Sequence, residues 1–219
     1  MTADFGAYHV LELQIASDPA DTRRVMPAIG RDVERVLDVG CGAGQTLIAS
    51  SLGSHVTAIG IDCDPRAVKL GKQIDARVRL VCSRGESLPL RGDYFDLVVS
   101  RVALPSMNTD TALSEMTRVL RPGGKIWLAL HPIERVKDEL VQSLRRFQFG
   151  RALHRAFVMV NGLLSDLAGV EIRSPVTGRY DTYQTEEGIT RRLQHLGYED
   201  IKVSKKAFFV VTASKPKAR

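Results

Sequence analysis

Apolar and polar residues divide the 219-residue chain into short apolar runs separated by amphipathic stretches. Residues 36–39, 56–61, 78–82, 95–100 and 125–130 are mostly apolar runs of strand length. Runs so nearly continuous suit strands covered on both faces, as in a parallel sheet. Between them helical spacing recurs. Residues 65–74 follow Asp64-Pro65, an N-cap with proline at the first helical position. Residues 111–120 set Ala112, Leu113, Met116 and Val119 on one face behind a cap expected at Asp110. Strands alternating with helices predict an α/β fold, Rossmann-like, with helices on both faces of a mostly parallel sheet.

The flanks read differently. Residues 4–16 predict a helix whose Phe5, Tyr8, Leu11 and Ile15 recur at helical spacing, broken at Asp18-Pro19 and followed by a short helix from Asp21 or Thr22. Residues 133–168 predict a pair of helices, with Val136, Leu140, Leu144 and Phe147 on one face and a break near Gly150. Residues 171–184 are polar and irregular. A helix from Thr185 through Leu193 ends at Gly197, and residues 201–203 and 208–211 predict a closing hairpin over Lys205-Lys206. The expected organisation is a single domain over 1–219, with a helical cap at 1–30, a helical insertion or lid at 133–170 and a flexible tail at 214–219.

Candidate chemistry begins where the first strand runs into Asp38-Val-Gly40-Cys-Gly42-Ala-Gly44. Glycines remove side chains from one face of the loop, so a ligand can approach the backbone, and the next helix offers its N-terminal amides. The dinucleotide fingerprint needs its third glycine five places after the first, where Gln45 stands. The alternating glycines behind Asp38 instead resemble the first motif of class I S-adenosylmethionine-dependent methyltransferases. Asp62, at the end of the second strand and 22 positions after Gly40, suits the hydroxyls of a ribose. Residues 83–90, Ser-Arg-Gly-Glu-Ser-Leu-Pro-Leu, and the Arg-Pro-Gly-Gly turn at 121–124 are similar to later motifs of that family. The resemblance covers 31–132.

That resemblance implies a seven-stranded sheet with its last strand antiparallel, S-adenosylmethionine as cofactor and S-adenosylhomocysteine as product. It implies that Asp38 and the loop (Gly40, Cys41, Gly42, Gly44) orient the methionine end, Asp62 with Cys63 the ribose, and Gly85 and Glu86 the adenine. Ser100 and Arg101, at the end of the fourth strand, are expected to border the cofactor. Arg84 stands where the family often has an acid that receives the adenine amino group, and an arginine cannot accept. His131, at the end of the fifth strand, is the candidate catalytic residue on the acceptor side. The family's Asn-Pro-Pro-Tyr signature of base-amine methylation is absent after the fourth strand, which reads Ser-Arg-Val-Ala-Leu-Pro.

Composition narrows this little further. A net charge of +6 is spread along the chain and reads as solvated surface. Three cysteines without a CxxC pair argue against disulfides and a zinc site, and His9 with Glu12 lacks a third ligand. No apolar run approaches membrane-spanning length and no signal sequence is apparent, so a cytoplasmic protein with no membrane partner is expected. The expected function is methyl transfer to a small-molecule acceptor. The alternatives are RNA methylation, for which the arginines at 145, 146, 151 and 155 speak, or cofactor binding without transfer.

Overall fold

The structure is a computed structural model and describes residues 5–205 and 208–217. Five strands are parallel: β1 (Arg35–Val39), β2 (Thr57–Asp62), β3 (Arg79–Cys82), β4 (Phe95–Arg101) and β5 (Leu120–Leu130). The hairpin of β6 (Glu199–Ser204) and β7 (Phe209–Ser214) completes a seven-stranded sheet of order β3-β2-β1-β4-β5-β7-β6. β7 runs antiparallel to both neighbours. This is the expected sheet, and the order turns back between β1 and β4, where ligands of such sheets bind beyond the strands' carboxyl ends.

Alternation along the central strands divides the core. Leu37 and Val39 of β1, Val98 of β4 and Leu128 of β5 face one way, against α4 (Thr109–Val119) and α7 (Glu186–His195). Val36, Val99 and Trp127 face the other, against Leu47 of α2 (Gln45–Ala49) and Val25. The same alternation sets Asp38 and Arg101 on the second face, toward α1 (Phe5–Ser17). α3 (Pro65–Ile74) has the expected bounds, and Asp64 caps it by accepting the Arg66 amide at 2.9 Å. Such a cap contributes about 1 kcal/mol.

Several expectations are corrected. The second N-terminal helix does not form, because Asp18 and Asp21 turn their carboxylates onto the amides of Ala20 (2.9 Å) and Arg23 (2.8 Å), and these side-chain turns compete with helix. α2 stops at Ala49, where Ser50 folds its hydroxyl back onto the Thr46 carbonyl at 2.6 Å. α4 starts two residues early: its cap is Asn108, which accepts the Thr111 amide at 3.0 Å, and Asp110 sits in the first turn. The Arg-Pro-Gly-Gly segment lies inside β5, with Gly123 at φ +76°.

The insertion is the expected helical pair, α5 (Ile133–Arg145) and α6 (Phe149–Ala168), but the break falls at 146–148 and Gly150 lies within α6. Val136 of α5 is buried, whereas Leu144 and Phe147 are exposed, so the apolar stripe read from spacing is not a core face. In the segment expected to be a tail, Ser214 belongs to β7 and Lys215 is tied down, its Nζ donating to Asp93 (2.8 Å) and to the Thr117 and Leu120 carbonyls. Residues 218 and 219, like Lys206 in the closing hairpin, lie outside the described residues.

Candidate active site

The loop after β1 is bonded across to β2. The amides of Gly40 and Cys41 both donate to the Ile61 carbonyl, at 2.7 and 3.0 Å, and the Gly42 amide donates to Asp62 Oδ2 at 2.8 Å. Asp62 Oδ1 accepts the Asp64 amide at 2.9 Å. Asp62 therefore fastens the glycine loop to the start of α3. Each carboxylate oxygen keeps a lone pair for another donor, because one bond uses half its capacity. Gly40, Gly42 and Gly44 all have positive φ, at +77°, +56° and +80°. At Gly40 the demand is also spatial, since a Cβ would lie 2.1 Å from that of Ala103.

A cavity of about 1390 Å³ opens above the loop, at the carboxyl ends of β1, β2, β4 and β5. Gly40, Cys41 and Gly42 form its floor; Asp62 and Cys63 stand on one side, Gly85 and Glu86 on the next, and Arg101 and His131 toward the far end. It exceeds the 300–1,000 Å³ of ordinary ligand sites, leaving room for two molecules. Three expected site residues do not border it. Gly44 is the left-handed N-cap of α2, and Asp38 and Ser100 are completely buried.

Neither oxygen of Asp38 has a hydrogen-bond partner, and neither has the Ser100 hydroxyl. Burial pushes the Asp38 carboxyl up to about 7, against the pull of the Arg101 charge and the nearby Thr46 hydroxyl, which does not reach good bonding geometry. An unpaired buried carboxyl is costly without a cationic or hydrogen-bonding partner.

α1 lies across the cavity. Tyr8 and Leu11, expected in the core, border the cavity instead, while His9, Ile15 and Ala16 are the buried residues. Helical spacing marks an apolar face but cannot say whether protein or ligand covers it. The helix is held by Glu12, which pairs with Arg101 at 3.2 Å, and by His9, whose Nδ1 takes the Gln45 side-chain amide at 2.8 Å. Arg101 in turn donates to the Thr46 hydroxyl at 3.2 Å. Burial lowers the His9 pKa against the pull of Asp62, Asp64 and Glu12. His9 and Glu12 thus serve as fastenings, and among the described residues no group of three His, Cys, Asp or Glu is placed to hold a metal.

On the side of β3, Arg84 pairs with Glu86 at 3.0 Å, and Glu86 also accepts the Asn108 amide at 3.2 Å. Gly85 is required by packing, since a Cβ would lie 2.6 Å from Met107 Sδ. Among the described residues no acceptor meets its amide.

A second cavity, of about 190 Å³, adjoins the first and shares Val102, Ser106, His131 and Arg135 with it. Arg135 Nη1 lies 3.3 Å from His131 Nδ1. A guanidinium can only donate, so Nδ1 accepts and the ring proton sits on Nε2. Burial first, and the Arg135 charge second, lower the His131 pKa to about 4. Val102 has φ +62°, in the left-handed region that a β-branched residue rarely enters, at the seam of the two cavities. Neither Gln45 nor Arg135 carries a sequence signal that would have singled it out.

Strand order, glycine loop and cavity together define a Rossmann-like methyltransferase fold. The family model described as Methyltransferase domain matches residues 37–128, so this stretch of the chain is similar to methyltransferase domains. It is similar to an uncharacterized methyltransferase, YcgJ, of Bacillus subtilis, 34% identical over 127 residues that make up 54% of this chain and 49% of that one. A demethylmenaquinone methyltransferase of Staphylococcus aureus is 37% identical over 111 residues, 48% of this chain and 46% of that one. The chain thus spans about half the length of these curated relatives in the matching regions. Among solved structures, a SAM-dependent methyltransferase from Aquifex aeolicus superposes with a TM-score of 0.60 at 17% identity, over 93% of this chain and 97% of that one.

Proposed function

We propose that the protein transfers a methyl group from S-adenosylmethionine to a small-molecule acceptor. The observation that carries this reading is the pair of joined cavities: a large one floored by the glycine loop and Asp62, and a small one meeting it at His131 and Arg135. The residues fit the cofactor. Asp62 has spare lone pairs for two ribose hydroxyls, the Gly85 amide is available to a ring nitrogen, and the unpaired Asp38 carboxyl behind the loop suits a cationic amine.

Bound S-adenosylmethionine supplies a methyl already activated by its sulfonium, so the protein's tasks are alignment, exclusion of water and handling of any acceptor proton. The side-chain-free face of the glycine loop, with Asp38 behind it, takes the methionine end, Asp62 and Cys63 the ribose, and Gly85 and Glu86 the adenine. α1, within the cap at 1–30, covers the cofactor, and the insertion at 133–170 roofs the acceptor, all within one domain. His131 meets the acceptor. Neutral, with its proton on Nε2, it donates a hydrogen bond to the acceptor atom more readily than it takes a proton.

The small volume of the second cavity favours a compact acceptor over an RNA chain, and the relatives named for demethylmenaquinone methylation support a small organic acceptor. The test is a transfer screen with methyl-labelled cofactor, run separately on a metabolite extract and on total RNA. Label in a small molecule supports the reading and label in RNA replaces it. Tight cofactor binding with no S-adenosylhomocysteine from any acceptor leaves a binding protein without transfer chemistry.

A further inference from the structure

α6 has an inner and an outer face of different character. Ala152, Val158, Asn161 and Ser165 are buried inward, and His154, Arg155 and Val158 border the smaller cavity. Outward, Phe149, Leu153, Ala156, Val160, Leu163 and Leu167 follow one another at alternating steps of four and three, which keeps them on one stripe of a helix. Phe149 is 70%, Leu153 74% and Leu167 79% exposed, and Val160 and Leu163 are exposed as well. The stripe continues over the α5–α6 turn to Phe147, 77% exposed, whose ring meets Phe149 edge-on at 6.4 Å. Beyond the helix, Val170 and Val176 are exposed as well. Isolated exposed apolar residues are ordinary; a continuous run of them along a whole helix marks an interaction surface.

Charge selects the occupant. Arg145, Arg146 and Arg151 surround the two phenylalanines in sequence, and among the described residues none has a carboxylate partner; Arg151 donates only to Gln148 Oε1, at 3.1 Å. Arg155, by contrast, pairs with Glu139 at 2.8 Å. A second copy packed parallel along α6 would set these arginines against each other. Packed antiparallel, it would set them against the far end of α6, where the acids are engaged. Asp166 accepts from the Thr185 hydroxyl at 2.7 Å and lies 3.6 Å from Arg191, and Glu171 takes the Ser165 hydroxyl and the Thr109 amide, each at 2.7 Å. Neither arrangement answers the positive charge. Anionic headgroups answer it at the end of the stripe where the arginines stand, and arginine stems can lie in the headgroup layer with their guanidiniums on phosphate.

We propose that the α5–α6 hairpin docks the protein on an anionic lipid surface. Phe147, Phe149, Leu153 and Leu167 enter the headgroup boundary, and Arg145, Arg146 and Arg151 pair with lipid phosphates. No helix among the described residues is long and apolar enough to cross a membrane, and a helix lying in the interface plane needs no such length. The expectation of no membrane partner rests on the want of a spanning segment, which does not bear on a helix lying on the surface.

The test is flotation of the full chain with vesicles of phosphatidylcholine alone or with added phosphatidylglycerol, at low and at moderate salt. The protein is expected to float with the anionic vesicles, to stay behind with the neutral ones, and to release as salt rises. Neutralising Arg145, Arg146 and Arg151 to Gln should weaken partition on the order of 100-fold, at about five-fold per basic residue near the surface. The triple change Phe149→Ser, Leu153→Gln and Leu167→Gln should weaken it at least about ten-fold. Both variants should keep wild-type affinity for S-adenosylmethionine by calorimetry, because the stripe faces away from the cavities. Failure of the wild type to bind anionic vesicles, or binding untouched by both variants, overturns the proposal. So does a stable dimer in ultracentrifugation without lipid that the apolar variant dissolves, which assigns the stripe to a second copy.

Discussion

Asp62 accepts the amide of Gly42 at 2.8 Å, so the acid expected to hold a ribose also holds the loop that forms the cavity floor. Replacing it with alanine removes a ligand contact and leaves the Gly42 and Asp64 amides without their acceptor. A hydrogen bond to a charged group contributes about 1.5–3 kcal/mol. Asp62→Ala is expected to weaken S-adenosylmethionine binding ten-fold to a hundred-fold and to lower the melting temperature of the free protein. Asp62→Asn keeps one acceptor oxygen and should lose less on both counts. Calorimetry showing undiminished affinity in a folded Asp62→Ala protein would remove this residue from the site.

Gly42→Val is expected to abolish cofactor binding. Its φ of +56° strains any branched side chain, and a Cβ there would lie 2.9 Å from Gln45 Oε1 and 3.1 Å from the His9 ring. The contrast is Gly150 in α6, where a Cβ would meet nothing within 4 Å. Gly150→Ala should leave binding intact and stabilise the fold by about 0.4–1 kcal/mol, by restricting the unfolded chain. Binding isotherms and melting curves of the two variants check both statements.

Asp38 links stability to pH with an unusual sign. Its carboxyl titrates at about 7 in the folded chain against an ordinary 3.8, so between these values the folded state holds more protons than the unfolded one. Stability from this group is therefore lost as pH rises from about 4 to 7, by an amount on the order of 4 kcal/mol at about 1.4 kcal/mol per unit. Asp38→Asn is expected to melt higher than the wild type at pH 8, with the gap closing toward pH 4, and to bind cofactor more weakly. Equal melting temperatures at pH 8 would show that the carboxyl is not held at such a cost.

His131, titrating at about 4, is neutral across the usual assay range. Methyl transfer should then show no inflection near pH 6.5 attributable to this ring. His131→Gln, which retains a donor, should transfer within about ten-fold of wild type, while His131→Ala should fall further and keep its cofactor affinity. A His131→Gln protein slowed as much as the alanine variant, together with a wild-type rate that rises with pH through about 6.5, would restore the ring as a general base. Because burial holds its folded pKa below the unfolded value, acidification from about 6.5 to 4 should also erode stability through this group.

The parts legible in the sequence were those fixed by local chemistry. Short apolar runs gave the five parallel strands, and Asp64-Pro65 placed the start of α3 to the residue. What escaped depends on what lies opposite. Tyr8 and Leu11 have the spacing of a core face but border a cavity, and Leu144 and Phe147 have it but meet solvent. At Asn108 and Asp110 two equally good caps stood two residues apart, and the backbone entering α4 decided between them. Of the site, the glycines and Asp62 were readable because their roles are backbone roles. The Glu12–Arg101 and His9–Gln45 contacts join residues far apart in sequence, and no local pattern announces such pairs.

The position of β7 has a consequence for how the chain assembles. β6 precedes β7 in sequence yet touches the sheet only through it, β7 being paired on one side with β5 over six residues and on the other with β6. β6 therefore cannot join until the later strand has slotted in beside β5. Until then β5, which carries Trp127, Leu128 and Ala129, is an open and sticky border. Closure relies on contacts between distant parts of the chain, the kind that form late and slowly. The hairpin that completes the sheet is thus also the step during which the protein is most prone to clump with its neighbours.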